Sequence, residues 1–327
     1  MRRAGLVGLV VAALVALPAA AARADGPALD VPASALAASL SCSSDLATDG
    51  REPLLLVHSI ALSPKENWSW SYQPALDAQS YPYCIVTLPD HAMADIQVAA
   101  EYVVNALRTM HAHTARKIAY VGYSQGGMVG RWALKWWPDT RADVDDYVGI
   151  DPSNHGTLDA YPVCAVNGCA PSIWQQQTGS RFLQALNAGG ETFTGIDYTV
   201  VYSRTDEVVT PNFDATGSSA LHTGGGTIVN VAAQEICPAD LSEHLAMGTF
   251  DPVAYAVVLD AIGHAGPASP GRIDRSVCTQ DVMPGVDKSR FAANFANVGL
   301  VAGQQVLTYP HVRSEPPLKP YAGASDH

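Results

Sequence analysis

The stretch AYVGYSQGGMVG, residues 119–130, decides how the chain is read. Its apolar first half has the composition of a buried strand, and Gly122-Tyr-Ser-Gln-Gly126 fits the pattern Gly-x-Ser-x-Gly. In a nucleophile elbow the serine sits on a sharp strand-to-helix turn, where a Cβ two residues to either side would collide with backbone. That geometry accounts for glycine at 122 and 126 and makes Ser124 a candidate nucleophile. Short Gly/Ser clusters also form plain turns, so the surrounding chain has to decide.

On both sides of this stretch, short apolar runs alternate with helical patterns. Residues 53–57, 84–87, 117–121, 147–150, 198–202 and 227–231 read as strands. Between the second and third, Ile96, Ala100, Val103, Val104, Leu107 and Met110 recur at helical spacing, and residues 128–137 continue as a helix that stops at Pro138. The alternation predicts an α/β fold with a mainly parallel central sheet and helices on both faces. Sites in such sheets form where loops leave the carboxyl ends of the strands. Ser124 follows one such end, and the loops after Val57, Tyr202 and Val231 follow others.

The chain begins Met1-Arg-Arg, runs almost wholly apolar from 4 to 22 and reaches Ala22-Arg-Ala24 before Asp25. Residues 1–24 therefore read as a secretory signal peptide, with 25–327 as one domain. The apolar run is short for a membrane span and is interrupted by Pro18, so export without a stable membrane anchor is expected. Removing Arg2, Arg3 and Arg23 takes the net charge from −12 to −15. Such a surface argues against nucleic acid as a partner and suits a secreted, monomeric protein. The six cysteines, Cys42, Cys84, Cys164, Cys169, Cys237 and Cys278, favour three disulfides in an exported chain, with every pairing open. No Cys-x-x-Cys occurs, and His111 and His113, two apart, do not share a helix face, so no metal and no cofactor is expected.

A serine hydroxyl is a weak nucleophile that needs a histidine base held by an acid. Asp206, directly after a strand and a polar turn, is the leading acid, with Asp151, Glu207 and Asp214 as rivals. His244, after a strand and a polar loop, leads over His222, His264 and His155 as the base. The order Ser, acid, His is that of the α/β-hydrolases. An oxyanion hole needs backbone N–H groups at the developing alkoxide. Gln125, the residue after the serine, supplies one, and Ile60, in the loop after the first core strand, the other.

The chain resembles the lipase B group and its bacterial relatives within the α/β-hydrolase superfamily, roughly from Cys42 to Cys278. The likeness is densest in Tyr123-Ser-Gln-Gly126, PSIWQQQTGS (171–180), YSRTDEVVTP (202–211) and the His244 loop. The resemblance implies the triad Ser124, Asp206 and His244. It also implies disulfides Cys42–Cys84 and Cys237–Cys278, leaving Cys164 and Cys169 to form a stiff small hairpin in a lid-like insert around 158–172. Thr157, Gln176 and Val208 match pocket-lining positions. The implied activity is that of a secreted serine ester hydrolase, a triacylglycerol lipase or carboxylesterase meeting its ester or lipid substrate at an oil–water interface. Alternatives are a hydrolase of polyesters or other bulky esters, and a non-catalytic binding protein on the same scaffold.

Several positions depart from the family. Ser59 stands where bacterial lipases carry glycine, implying ordinary backbone there. Ile60 replaces a threonine whose hydroxyl assists the oxyanion, a donor worth about 3 kcal/mol. Ser59 or Ser63 is a candidate to compensate. Gly122 restores an elbow glycine, and Tyr123 replaces a tryptophan, so selectivity for the alcohol should differ. Asn67-Trp-Ser69 is a glycosylation sequon. Phe291, Phe295 and Val298 form an apolar stripe that either borders the entrance or packs on the body. Trp68, Trp70, Trp132, Trp136, Trp137 and Trp174 read mainly as core, and the proline-rich tail from Tyr309 as a surface wrap.

Overall fold

The computed structural model of the chain describes residues 25–323 apart from Asp45 and Thr48; the leader read at 1–24 lies outside the described residues. Seven strands form one sheet: β1 (Leu40–Cys42), β2 (Leu54–Val57), β3 (Tyr83–Val86), β4 (Ile118–Tyr123), β5 (Val144–Ile150), β6 (Asp197–Tyr202) and β7 (Thr227–Ala232). Their order is β1-β3-β2-β4-β5-β6-β7. All neighbours are parallel except β1, which runs antiparallel along the edge. Every residue of β2, β3 and β4 is buried, which is why these strands read as unbroken apolar runs rather than alternating ones.

The helices cover both faces. Ile96–Thr114 and Gln125–Trp136 pack Val103, Leu107, Met110 and Trp132 on one side. Pro252–Gly263 and Tyr72–Ala78 pack Val257, Val258, Tyr72 and Leu76 on the other. Asp95 accepts a hydrogen bond from the Gln97 amide and caps the first of these helices. The second ends at Trp136, with Trp137 as its cap immediately before Pro138, whose ring disfavours helical geometry in the residue before it.

The edge strand β1 is missing from the sequence reading. Its three residues are exposed or half-buried and carry no apolar pattern; β3 holds it through main-chain pairing and through a disulfide between the directly opposed Cys42 and Cys84. The other disulfides are Cys164–Cys169 and Cys237–Cys278.

The hairpin expected between Cys164 and Cys169 does not form. Cys164 ends the short helix Ala160–Cys164, and Cys169 pairs with Val312 of the tail through two main-chain hydrogen bonds, 2.9 and 3.2 Å long. Five intervening bonds of chain are taken up by the helix end and a turn, so the tail supplies the ladder partner instead. Farther on, Tyr321 sits among Trp132, Trp136 and Trp137 and anchors that tail.

Candidate active site

The elbow forms where β4 meets the helix Gln125–Trp136. Ser124 is held at φ 53, ψ −121, a left-handed conformation that costs a non-glycine residue about 1–2 kcal/mol. Its amide donates to the Ile150 carbonyl of β5 at 2.8 Å, and its carbonyl accepts from Gly127 at 2.9 Å. A Cβ on Gly122 would lie 2.6 Å from the Gly126 carbonyl carbon, and one on Gly126 would overlap the Val57 carbonyl. Both glycines are therefore required by the tight apposition of β4, the helix and the end of β2.

His244 opens the short helix His244–Met247, whose first amides are capped by the Glu243 carboxylate. Its Nε2 stands 3.0 Å from Ser124 Oγ and its Nδ1 2.8 Å from Asp206 Oδ2. A carboxylate only accepts, so Nδ1 carries the proton and Nε2 is left to accept from the serine. All three side chains are buried. Asp206 Oδ1 accepts from the amides of Val208 and Val209, both at 2.8 Å, which fixes the carboxylate plane. The two loops are laced together: the hydroxyls of Ser203 and Thr205 both donate to the Ser242 carbonyl. From β4, the Tyr123 hydroxyl donates to the His244 carbonyl at 2.9 Å.

Burial by itself would lower the His244 pKa. The charge and hydrogen bond of Asp206, with Glu207 and Glu243 behind, outweigh it and hold the pKa above the ordinary histidine value. His58 shows the opposite case. Fully buried, its Nε2 accepts from the Leu88 amide, so its Nδ1 donates to the Ser59 carbonyl, and burial lowers its pKa to about 4. It is a neutral strut under the loop that carries Ile60.

Ile60 and Ser124 line a cavity of about 270 Å³. Thr157, Gln176 and Val208 line it too, with Ile173, Val209 and Val306 completing an apolar wall. Gln125 begins its helix, so its amide has no intrahelical acceptor. Among the described residues neither that amide nor the Ile60 amide has a hydrogen-bond acceptor. Ser59 has ordinary backbone; the left-handed residue of this loop is Ala61, at φ 61, whose amide donates to the His91 carbonyl. Ser63 is committed as a helix cap, with its hydroxyl on Glu66, and does not compensate for the threonine lost at position 60. The Thr157 hydroxyl donates to the Val208 carbonyl at 2.6 Å, and Gln176 bonds both Gln125 and Ser153, so both shape the wall rather than offer free donors.

The rival candidates lie elsewhere. Asp214 is exposed, His155 pairs with Glu191, and His264 caps Pro252–Gly263 beside Asp260. Glu207 accepts from the His244 amide at 3.2 Å and holds His244 from the backbone side. Asp151 is buried beside the triad: Asp151, Asp206 and His244 offer oxygen and nitrogen atoms within 4.8 Å of one another. Both ring nitrogens of His244 are already engaged by Asp206 and Ser124, which leaves none to ligate an ion. Of the tryptophans, Trp68, Trp132 and Trp137 are core, and none lines the Ser124 cavity. Phe291 and Phe295 pack with Trp70 and Phe250, whereas the far end of the same helix delivers Val306 to the cavity.

Asn67 is the site residue that sequence reasoning passed over. The sequon asparagine is fully buried: its Oδ1 accepts from the Ser59 amide and its Nδ2 donates to the Gly248 carbonyl. No local signal in Asn-Trp-Ser distinguishes such a brace from an exposed acceptor.

Residues 51–244 match the family described as Lipase (class 2). Lipase B of Pseudozyma antarctica is 31% identical over 327 residues, covering 97% of this chain and 93% of that protein. The crystal structure of Aspergillus fumigatus lipase B superposes with a TM-score of 0.83 at 28% identity, over 91% of this chain and 73% of that one. The propeptide form of Bacillus licheniformis lipase BlEst2 shares the fold, with a TM-score of 0.53 at 15% identity over 70% of this chain and 54% of that one.

Proposed function

The chain belongs to the class 2 lipase family and is a lipase-type hydrolase of the α/β-hydrolase fold, and from that premise we propose that it hydrolyses carboxylic esters through an acyl-enzyme on Ser124. The observation that carries this reading is the relay from Ser124 to His244 at 3.0 Å and on to Asp206 at 2.8 Å, opening on the apolar cavity. Ser124 Oγ attacks the ester carbonyl while His244 Nε2 takes its proton, and Asp206 stays ionised and stabilises the imidazolium. The amides of Ile60 and Gln125 take the oxyanion. His244 then protonates the leaving alcohol. Water then attacks the acyl carbonyl while His244 Nε2 takes its proton, and His244 returns that proton to Ser124 Oγ as the acyl–serine bond breaks and the acid leaves.

The acyl chain is placed against Thr157, Gln176, Val208 and the aliphatic wall, which suits a triacylglycerol or a simpler ester presented at an oil–water interface. Export is supported by the leader pattern at 1–24 and by three disulfides. Among the described residues no helix is long and apolar enough to cross a membrane. The test is hydrolysis of p-nitrophenyl butyrate by Ser124→Ala. Loss of about 10⁴-fold or more in kcat is expected; a variant as fast as the parent would sink the mechanism.

A further inference from the structure

Asp151 is a second acid inside the triad, and the relay as described makes no use of it. It follows the last residue of β5 at φ 39, is wholly buried, and donates its amide to the Val201 carbonyl of β6. Its Oδ1 accepts from the Ser203 amide at 2.8 Å, with Asn212 Nδ2 at 3.5 Å. Its Oδ2 is buried and has no hydrogen-bond donor among the described residues. The side chain that shares its space is the Asp206 carboxylate, since both carboxylates and the His244 ring lie within 4.8 Å.

Two buried carboxylates side by side do not both ionise. Asp206 is the one with donors: two amides on Oδ1 and the His244 ring on Oδ2, which leaves Oδ2 a lone pair to spare. An oxygen with no donor and only a carboxylate beside it is satisfied when it carries a proton of its own. We propose that Asp151 is a positioning residue for the ester hydrolysis above, a neutral acid whose O–H donates to the Asp206 carboxylate. No bond is made or broken and the proton stays on Asp151 through turnover. The added donor holds Asp206 ionised, discourages it from taking the His244 proton, and fixes the carboxylate from the side opposite the imidazole.

The groups around Asp151 agree. Burial, then the Asp206 charge, drive its pKa well above the usual carboxylate range, with Asp251 adding to the effect. The other titratable groups of this region are His244, Tyr123, Glu207 and Glu243. Tyr123 is kept neutral by burial and by the negative charges of Asp206, Glu243 and Glu207. Within this set, His244 is the group that gains a positive charge during turnover, and it is engaged by Asp206.

This inference rests on the triad reading, and its test separates the two. Asp151→Asn keeps a donor and removes any charge; Asp151→Ala removes the donor. The pH profile of kcat/KM is measured for both with p-nitrophenyl butyrate, and infrared difference spectra against the parent at neutral pH report a protonated carboxyl. A neutral Asp151 predicts an acid limb unmoved in Asp151→Asn, with activity near that of the parent. Asp151→Ala should then be about tenfold slower, and the parent should show a protonated-carboxyl band that either variant loses. An acid limb lower by about one pH unit in Asp151→Asn would mean that an ionised carboxylate had been removed, and overturns the proposal. So does equal activity of the two variants, or no difference in the infrared band. The infrared arm needs no turnover, so it stands even where Ser124→Ala defeats the ester mechanism, and Asp151→Ala serves it alone where the Asn variant does not fold.

Discussion

Asn67 and Gly248 lie 181 residues apart in the chain and are joined by a hydrogen bond of 2.8 Å from the Asn67 amide to the Gly248 carbonyl. Gly248 caps the short helix that begins with His244, and the other end of the same amide accepts from Ser59, next to Ile60. One buried side chain thus sets the spacing between the loop offered for the oxyanion and the element that carries the base. The contact explains how a loop without its glycine keeps a defined shape. Asn67 and His58 hold it from two sides, through the Ser59 amide and the Ser59 carbonyl.

Asn67→Asp is isosteric but sets a carboxylate oxygen against the Gly248 carbonyl in place of a donor. Leaving buried polar groups unpaired costs about 1–3 kcal/mol each, so thermal unfolding should report a loss in that range, together with a fall in kcat. An unchanged melting temperature and unchanged kcat would remove the brace. The same burial predicts that mass spectrometry of folded protein from a glycosylating host finds Asn67 unmodified.

The sheet and the three site loops are legible in the sequence for a physical reason. Parallel strands buried on both faces leave continuous apolar runs, and Ser124, Asp206 and His244 each come within a few residues to a dozen of the end of one. The parts that stay hidden depend on distance between remote segments. β1 is an edge strand with one neighbour and no apolar face. Asn67 carries a local pattern that means one thing exposed and another buried. Asp151 reads from sequence as a rival to Asp206, and only their apposition shows two carboxyls in one pocket. The pairing of Cys169 with Val312 joins an insert to a tail that share no sequence signal.

Glu207 contributes negative charge near His244 and accepts its amide. Glu207→Gln keeps an acceptor and removes the charge, which favours the neutral imidazole. The acid limb of kcat/KM should therefore move to lower pH, by less than one pH unit because Glu207 is exposed and screened. The shift should shrink as salt is added to the parent. A limb that stays in place at low ionic strength would show that Glu207 has no part in setting the His244 pKa.

At the opposite end of the sheet Glu52 is pushed up to about 7, first by burial and then by the Asp145 charge, and Asp146 to about 8, first by burial and then by the Glu52 charge. Unfolded, both titrate near 4. Between about pH 4 and pH 8 the folded protein therefore binds protons that the unfolded chain has released, so stability falls as pH rises through that window. Asp146→Asn removes one of the two groups, and its melting temperature should exceed that of the parent at pH 8 and converge with it toward pH 5. Asp151 and Asp251 are raised too and add to the same slope in the parent. A parent whose melting temperature is flat from pH 5 to pH 8 would contradict the assignment of both acids.

The Cys164–Cys169 bond closes a loop with four residues between the cysteines, joining the helix Ala160–Cys164 to the segment that leads into Pro171–Gln175. Ala160, Val163 and Ile173 of these segments line the cavity, so the bond holds together the wall that an acyl chain would pass. In the chain-entropy treatment so short a loop contributes about 2 kcal/mol, and only part of that is felt globally because Val312 still pins Cys169 to the tail. Replacing both cysteines by serine should lower the melting temperature modestly while leaving p-nitrophenyl acetate turnover close to the parent's, since Ser124, His244 and Asp206 stand on other elements. The larger change is expected for long chains: with that wall loosened, the ratio of palmitate to butyrate hydrolysis should rise. If the ratio is unchanged and only stability falls, the bond is a staple for the insert and has no part in admitting the acyl chain.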